Sequence, residues 1–262
     1  MPTGTHRRQG GRRVFSELDV SGKRVVIIGA GRGLGAVLAR AFDAAGAHLV
    51  LTARDESSLD EVTRVLTRRP VTVVGDVRDA TFAEDIADAA QSAHGGIDTW
   101  IANAGISPIV ADVQSMRSEK WRDIIDVNLT GVFRGVQVAA RVLSDGGRII
   151  VTSSVLGDRP RSGLSAYSVS KRAIHALVET LAQEVGDRSI TVNAVALGWF
   201  DAGLGALWSD DRSRGDEVID HSALKRLGTA ADLPGAFLFL ASDAAAFVTG
   251  TTITVDGGYS LL

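Results

Sequence analysis

Two side chains in the stretch "SAYSVSK" (165–171) have the types and spacing for proton-transfer chemistry. On a helix, Tyr167 and Lys171 lie on one face, one turn apart, so the phenol and the ammonium can approach each other. A free tyrosine has a pKa of about 10, which is too high for efficient proton transfer at neutral pH. A cation about 4 Å from the phenolate contributes about 4 kcal/mol at an effective dielectric constant of 20, equivalent to roughly three pKa units. We therefore predict that Tyr167 is a general acid whose pKa lies near neutrality.

A glycine-rich loop, "GAGRGLG" (29–35), separates a predicted strand from a predicted helix. Glycines there let the backbone turn tightly and approach a pyrophosphate, whose charge is attracted by the helix N-terminus. The glycines fit the spacing G-x-x-x-G-x-G better than the commoner G-x-G-x-x-G. A simple turn is the alternative, but the strand before and the helix after it favour a dinucleotide. We assign the loop to cofactor binding through Gly29, Gly31, Arg32, Gly33, Leu34 and Gly35.

The end of the second predicted strand reports on the cofactor ribose. An acidic residue there would bind the 2′-hydroxyl of NAD, whereas a 2′-phosphate requires arginine and no nearby carboxylate. The strand ends in "LTARD", with Arg54 at the turn and Arg32 projecting from the glycine loop. These arginines predict NADP(H) in preference to NAD(H). Asp55 weakens this argument, and two ordinary surface arginines are the alternative.

Apolar strands and helices alternate along the chain. The predicted strands cover 24–29, 47–53, 71–76, 97–105, 147–154, 190–197 and 251–258, and the predicted helices cover 34–46, 56–69, 81–95, 117–144 and 165–186. Apolar strands separated by helices form a parallel sheet that is covered on both faces. We predict a single doubly wound, Rossmann-like α/β domain with a seven-stranded parallel sheet. Its ligands should bind beyond the carboxyl ends of the strands.

Two segments depart from this alternation. Residues 1–20 begin with the polar, basic run "MPTGTHRRQGGRR", which predicts a disordered leader before a domain at 21–262. Residues 199–227 carry apolar side chains that could close over a substrate as a lid. Covering the core is the equally weighted alternative for these residues: Trp199, Phe200, Leu204, Leu207 and Trp208.

The composition narrows the function classes. The chain of 262 residues has no cysteine, so disulfides, thiolate metal sites and thiol catalysis are excluded. Its five histidines are scattered without metal-ligand spacing, and we expect no metal. A net charge of −3 and the absence of a long apolar run give no reason to expect nucleic acid or a membrane as partner. The absence of cysteine is compatible with the cytoplasmic location that we expect.

The chemistry-bearing motifs occur in a recognisable order. They are the glycine loop, "NAG" (103–105), Asn128 in "DVNLTGVF", Ser154 in "VTSSVLG", and the pair Tyr167 and Lys171. In this order they resemble the short-chain dehydrogenase/reductase family over roughly residues 20–260. The resemblance implies a homotetramer, with helices 117–144 and 165–186 at one interface.

The resemblance also implies roles for individual residues. Asn128, Ser154, Tyr167 and Lys171 match the catalytic tetrad of the family, in which Asn128 would hold a water that links Lys171 to solvent. Ser153 is the alternative to Ser154, since a shift of one residue on a strand turns the hydroxyl to the other face. Further cofactor-binding residues would be Asp76 and Val77 beside the adenine, and Asn103, Ala104, Gly105 and Gly198. Tyr167 and Lys171 would also bind the cofactor, the lysine through the nicotinamide ribose. Leu197 and Ala202 depart from the family, which often has proline and threonine there, so the nicotinamide orientation is in doubt.

These residues predict an NADP(H)-dependent oxidoreductase that interconverts a ketone and a secondary alcohol, and an apolar or ring-bearing ketone would suit the aromatic lid. Two alternatives stay open. One is a 3-oxoacyl-[acyl-carrier-protein] reductase, with Arg141 and Arg188 in positions resembling those that dock the acidic carrier. The other is a non-enzymatic NADP-binding regulator, which would need the glycine loop but not the tyrosine.

Overall fold

The computed structural model describes residues 16–106, 110–201 and 212–261. All seven predicted strands are present: β1 (Arg24–Ile28), β2 (His48–Ala53), β3 (Val71–Val74), β4 (Thr99–Ala102), β5 (Arg148–Ser154), β6 (Thr191–Leu197) and β7 (Thr252–Val255). They form one sheet in the order β3-β2-β1-β4-β5-β6-β7, in which every neighbouring pair is parallel. This confirms the predicted doubly wound sheet. The strand order reverses between β1 and β4, which places the ligand-binding crevice at their carboxyl ends.

Helices cover both faces of the sheet. The helices within the described residues are α1 (Gly33–Ala44), α2 (Glu56–Thr63), α3 (Phe82–His94), α4 (Ser118–Ile125), α5 (Val132–Val142), α6 (Ser165–Glu184), α7 (Arg212–Asp220) and α8 (Pro234–Ala241). One core contains buried residues of α3, α5 and α6, and the other contains buried residues of α1, α2 and α8. Successive residues of β1 alternate between them, Val25 in the second core and Val26 in the first, because side chains of a strand point to opposite faces.

Helix α2 ends at Thr63, six residues before the predicted end at 69. The cause is the buried carboxylate of Asp43 on α1. It accepts hydrogen bonds from the backbone N–H of Thr67 at 2.7 Å and of Arg68 at 3.2 Å. Those amides are drawn to a distant carboxylate, so the chain leaves the helix before reaching them.

The described residues begin at Ser16, within the segment that the sequence predicts as a leader. Ser16–Leu18 form a short 3₁₀ turn, and Val20 is only 2% exposed within the core of α1, α2 and α8. Val20 therefore packs on the domain, whereas residues 16–19 are exposed. The remainder of that predicted leader, residues 1–15, lies outside the described residues.

Candidate active site

The glycine loop forms a tight turn between β1 and α1. Gly29 and Gly33 adopt φ angles of +79° and +55°, in the left-handed region that favours glycine. A Cβ on Gly35 would lie 2.7 Å from the Asn103 side-chain nitrogen and would also overlap the carbonyl oxygen of Gly29. Arg32, the residue before α1, makes no side-chain capping hydrogen bond, so its side chain leaves the first N–H groups of the helix open. This cradle, which any Cβ would fill, fits a pyrophosphate.

Asn103 fastens the loop to the middle of the sheet. Its side-chain N–H donates to the carbonyl oxygen of Gly29 at 3.1 Å, and its oxygen accepts from the Thr152 hydroxyl at 3.2 Å. The ends of β1, β4 and β5 are thereby joined through one amide. This is consistent with the stabilising role behind the cofactor that the resemblance implies.

Two exposed arginines, Arg32 and Arg54, flank the end of β2. The nearby carboxylate of Asp55 is the N-cap of α2, where it accepts from the Ser58 backbone N–H at 2.9 Å and the Ser57 hydroxyl at 3.0 Å. The hydrogen bond from the Ser58 backbone, then those from the two serine side chains, lower the pKa of Asp55. Asp55 is thus engaged by its own helix.

The predicted adenine end of the site contains an ion pair. Both carboxylate oxygens of Asp76 accept from the guanidinium of Arg78, at 2.7 and 3.0 Å. These hydrogen bonds hold the pKa of Asp76 below its usual value, against the opposing effect of burial. The neighbouring Val77 packs against Gly131, where a Cβ would approach the valine side chain to 2.8 Å. The close contact with Gly131 fixes the position of Val77.

A cavity of about 460 Å³ joins these parts. Every residue that the sequence assigned to the cofactor lines it, together with Ser154, Tyr167 and Lys171. Asn128 is the one predicted site residue outside the lining. The lining also includes residues that the sequence did not assign to the cofactor: Ile28, Thr52, Ala53, Asp55, Ser58, Gly75, Phe82, Ile106, Val127, Thr152, Ser153, Leu197 and Phe200.

Tyr167 and Lys171 lie in the first two turns of α6 and face the cavity. Lys171 is 3% exposed, and its ammonium donates to the Thr152 carbonyl oxygen at 2.9 Å. The ammonium nitrogen is 5.7 Å from the centroid of the Tyr167 ring. The sequence analysis thus identified two side chains that meet in the folded chain.

The predicted pKa of Tyr167 is wrong for this arrangement. Burial raises the pKa of Tyr167 to about 12, opposed by a smaller effect of its hydrogen bond with Ser154. Burial also lowers the pKa of Lys171 to about 8. The prediction considered only the attraction between ammonium and phenolate, whereas both groups lose hydration in the same low-dielectric site. The phenol consequently keeps its proton at neutral pH.

Ser154 and Ser153, at the end of β5, face opposite sides of the strand. Ser154 lines the cavity with Tyr167, and its hydroxyl oxygen accepts from the Leu156 backbone N–H at 3.2 Å. The hydroxyl oxygen of Ser153 lies 2.8 Å from Nε2 of His175 on α6. The side-chain directions therefore favour Ser154 as the hydroxyl of the catalytic group.

Asn128 occupies an irregular stretch of helix. Residues 117–144 were predicted as one helical region, but a π-helical turn, Asp126–Gly131, separates α4 from α5. Within it the Asn128 side chain accepts from the Ile106 backbone N–H at 2.8 Å and donates to the Ile106 carbonyl oxygen at 3.2 Å. A Cβ on Gly105 would stand 3.4 Å from the Asn128 oxygen and 3.9 Å from the Lys171 ammonium nitrogen. The absence of a side chain at Gly105 thus leaves open the space between these groups.

The predicted lid is described in part. Phe200 is buried, lines the cavity and packs over Gly228, while Trp199 meets Tyr259 edge-on at 6.2 Å. On α7, Val218 packs with Tyr259 and with Val155, the residue after Ser154. This packing places α7 against the catalytic strand end. Ala202, Leu204, Leu207 and Trp208 lie outside the described residues.

Thr152 is the most informative residue that sequence reasoning missed. Its carbonyl holds the Lys171 ammonium, and its hydroxyl holds Asn103. The period of two along a strand could have identified it, because residues 152 and 154 of β5 share one face. Its backbone contribution, by contrast, leaves no trace in residue type.

Comparisons with known proteins agree with this fold. A sequence model of the family described as enoyl-(acyl carrier protein) reductase matches residues 29–260. The 3beta-hydroxysteroid dehydrogenase 1 of Eggerthella lenta is 38% identical over 258 residues, covering 93% of this chain and 95% of that protein. A 3-oxoacyl-(acyl-carrier-protein) reductase of Escherichia coli is 33% identical over 243 residues, covering 92% and 98%.

A solved structure of a short-chain type dehydrogenase/reductase from Mycobacterium marinum superimposes with a TM-score of 0.86 at 33% identity, covering 93% of this chain and 97% of that one. The chain belongs to the short-chain dehydrogenase/reductase family. It is accordingly an oxidoreductase acting on CH–OH and C=O groups, in a family that uses a nicotinamide cofactor.

The described residues also show no metal cluster and no membrane-spanning helix. No group of three or more histidine, cysteine or acidic side chains there could hold a metal ion. None of the described helices is both long enough and apolar enough to cross a membrane.

Proposed function

We propose that the chain is an NADP(H)-dependent reductase that interconverts a ketone and a secondary alcohol, with Tyr167 as general acid and base. The observation that carries the proposal is that Ser154, Tyr167 and the buried Lys171 line one cavity together with the glycine cradle. A proton donor, a hydroxyl and a cation converge where a carbonyl oxygen would need them.

The residues would divide the work as follows. The glycine loop and Asn103 would hold a nicotinamide dinucleotide, which when bound supplies the hydride. Tyr167 would donate its phenolic proton to the substrate oxygen, since its raised pKa keeps the phenol protonated. Ser154 would donate to the same oxygen and stabilise the negative charge that develops on it. Lys171 would favour ionisation of the phenol as the proton leaves.

The preference for NADP(H) rests on the surroundings of the end of β2. Arg32 and Arg54 are exposed there and line the cavity. Asp55, the carboxylate that complicated the sequence argument, is satisfied by Ser57 and Ser58 of α2. A 2′-phosphate would therefore meet two guanidinium groups and no free carboxylate.

For the substrate we propose an apolar, ring-bearing ketone. Phe200 and Leu197 contribute apolar surface to the cavity, and Leu156 is buried just after Ser154. The relative from Eggerthella lenta, named a 3beta-hydroxysteroid dehydrogenase, supports a rigid polycyclic substrate.

The two arginines named for the acyl-carrier alternative also make contacts within the chain. The guanidinium of Arg188 donates to Asp145 at 2.9 Å and to the Ala140 carbonyl oxygen at 2.6 Å, which closes the end of α5. Arg141 pairs with Glu84 at 2.5 Å. Both side chains therefore bind groups of this chain. Because the relative from Escherichia coli is named a 3-oxoacyl-(acyl-carrier-protein) reductase, an acetoacetyl thioester is included among the substrates to be tested.

The proposal extends to a cytoplasmic homotetramer. Four large apolar side chains on α4, α5 and α6 are exposed in the single chain: Trp121, Phe133, Val142 and Val169. Contact between copies through these helices would cover them. Sedimentation velocity gives the oligomeric state directly.

The deciding experiment follows the loss of reduced-nicotinamide absorbance, with NADPH and NADH in parallel. The substrates are cyclic, aryl and steroid ketones, an aldehyde and an acetoacetyl thioester. We expect turnover of a ring ketone that prefers NADPH. A preference for NADH would refute the arginine argument, and best turnover of the thioester would favour the acyl-carrier alternative. Binding of NADPH with turnover of none of these would favour the regulator.

A further inference from the structure

A buried histidine lies directly behind the catalytic residues and has no part in the function proposed above. His175 on α6 is 5% exposed, and its Nε2 lies 2.8 Å from the hydroxyl oxygen of Ser153. Ser153 itself is 2% exposed. A polar pair buried this deeply is costly unless its hydrogen bonds are made, so the contact is a defined one.

The other ring nitrogen of His175 faces a carboxylate. Its Nδ1 lies 3.4 Å from a carboxylate oxygen of Asp158, in the loop that follows β5. The ring of His175 therefore lies between the Ser153 hydroxyl and the Asp158 carboxylate. Asp158 is in turn held by the guanidinium of Arg172, one turn before His175. Ser153, His175 and Asp158 thus form a continuous chain of polar contacts.

This chain of groups touches both catalytic elements. Ser153 precedes Ser154 on β5, and its hydroxyl also lies within donating distance, 3.3 Å, of the Lys171 carbonyl oxygen. The loop carrying Asp158 presses on the same turn of α6. A Cβ on Gly157 would stand 3.1 Å from the Arg172 backbone nitrogen and 3.2 Å from the His175 ring. The strand end that carries Ser154 is therefore fixed against the helical turn that carries Lys171.

We propose that Ser153, His175 and Asp158 are positioning residues that set the placement of Ser154 relative to Tyr167 and Lys171. The inference rests on the proposed reductase function. None of the three needs to touch substrate: the hydroxyl of Ser153 points away from Ser154, toward α6. A displacement of Ser154 by a fraction of an ångström would slow the chemical step while leaving the cofactor cradle intact.

The test compares Ser153→Ala, His175→Ala and the double variant with the parent enzyme. Ser242→Ala is the matched control, because Ser242 is also fully buried and also donates to a helix carbonyl, that of Phe239, at 2.7 Å. Its carbonyl is near Arg148, at the opposite end of β5 from Ser154. We expect Ser153→Ala and His175→Ala each to lower kcat about tenfold, with the Kd of NADPH unchanged. The double variant should lose no more than the worse single one, because the two residues act as one unit.

Two further readouts separate positioning from general loss of stability. His175→Gln retains a side-chain amide that can reach Ser153, and we expect it to recover kcat to within about threefold of the parent. Hydrogen–deuterium exchange of residues 155–159 should become at least about tenfold faster in Ser153→Ala and His175→Ala, but not in Ser242→Ala. This exchange measurement does not require turnover, so it tests the positioning role of Ser153 and His175 even if the protein reduces no ketone.

Additive losses in the double variant would overturn the proposal, because independent structural roles add. So would values of kcat and exchange in Ser153→Ala and His175→Ala that match those of Ser242→Ala. A parent that binds NADPH but reduces no ketone would instead contradict the proposed function. In that case faster exchange in Ser153→Ala and His175→Ala supports the positioning role of these residues, and unchanged exchange overturns it.

Discussion

The glycine loop after β1 and the β5–α6 pair serve the same cavity by opposite means. The loop works through absent side chains: at Gly29 and Gly35 a single added carbon would collide with backbone or with Asn103. The β5–α6 pair works through side chains that are present and buried, Ser154 and Lys171 among them. Backbone shape defines the first region, whereas hydration and hydrogen bonding define the second.

The difference explains which properties each region can reveal in advance. A requirement for no side chain is written in the sequence as glycine, and its spacing is sufficient to recognise the cradle. A buried ionisable group takes its pKa from everything packed around it, so residue type and spacing give only the reference value. The misjudged pKa of Tyr167 illustrates this limit.

The largest expected effect concerns the side-chain chemistry of the second region. Tyr167→Phe removes the proton donor and leaves the ring in place, so kcat for ketone reduction should fall about 10³-fold. The Kd of NADPH, measured by fluorescence titration, should stay within about twofold, because the cradle is on other elements. Residual turnover above about a tenth of the parent rate would show that another group donates the proton.

The corresponding substitution in the glycine loop adds a single methyl group. Gly35→Ala should lower the free energy of unfolding by about 1–3 kcal/mol, because its methyl group overlaps the Gly29 carbonyl and Asn103. NADPH affinity should fall at least about tenfold as the loop is displaced. Urea unfolding and NADPH titration measure the two effects.

Gly235→Ala is the control, since no heavy atom lies within 4 Å of an added Cβ at that position of α8. It should change stability by less than about 0.5 kcal/mol. Equal effects of the two substitutions would mean that the collision at Gly35 is relieved without cost.

A smaller effect is expected for Arg54, the exposed arginine beside the glycine loop. Arg54→Ala should raise the Kd of NADPH about tenfold and leave that of NADH unchanged, since only the 2′-phosphate needs the guanidinium. Arg64→Ala removes the same charge from the exposed end of α2, outside the cavity lining, and should change neither value. Parallel weakening of both cofactors in Arg54→Ala would refute the assignment.

The smallest expected effect is on the pH dependence of stability, which reports whether the Lys171 ammonium is shielded from water. Burial lowers the pKa of Lys171 from 10.5 to about 8, so between these values the unfolded chain binds more protons than the folded one. The free energy of unfolding contributed by this group therefore rises with pH, by about 2 kcal/mol between pH 8 and pH 10. Lys171→Met should lack that rise when urea unfolding is compared at pH 7.5, 8.5 and 9.5. Parallel profiles of parent and variant would mean that Lys171 is hydrated.

Much of the fold could be predicted because its signals are local. The seven apolar strands, the glycine loop and the spacing of Ser154, Tyr167 and Lys171 each occupy a short stretch of sequence. The features that sequence analysis missed depend on residues far apart in the chain. Helix α2 ends early because of Asp43, and the π-helical turn at Asn128 accompanies bonds to Ile106. The contact between Ser153 and His175 likewise exists only once β5 and α6 have packed.

The amide of Asn103 also sets an order of events during synthesis. It donates to Gly29, 74 residues earlier, and accepts from Thr152, 49 residues later. At roughly 5–20 residues per second, the carbonyl of Gly29 leaves the peptidyl-transferase centre about 4–15 s before its partner is made. The nascent glycine loop is therefore made several seconds before the side chain that anchors it.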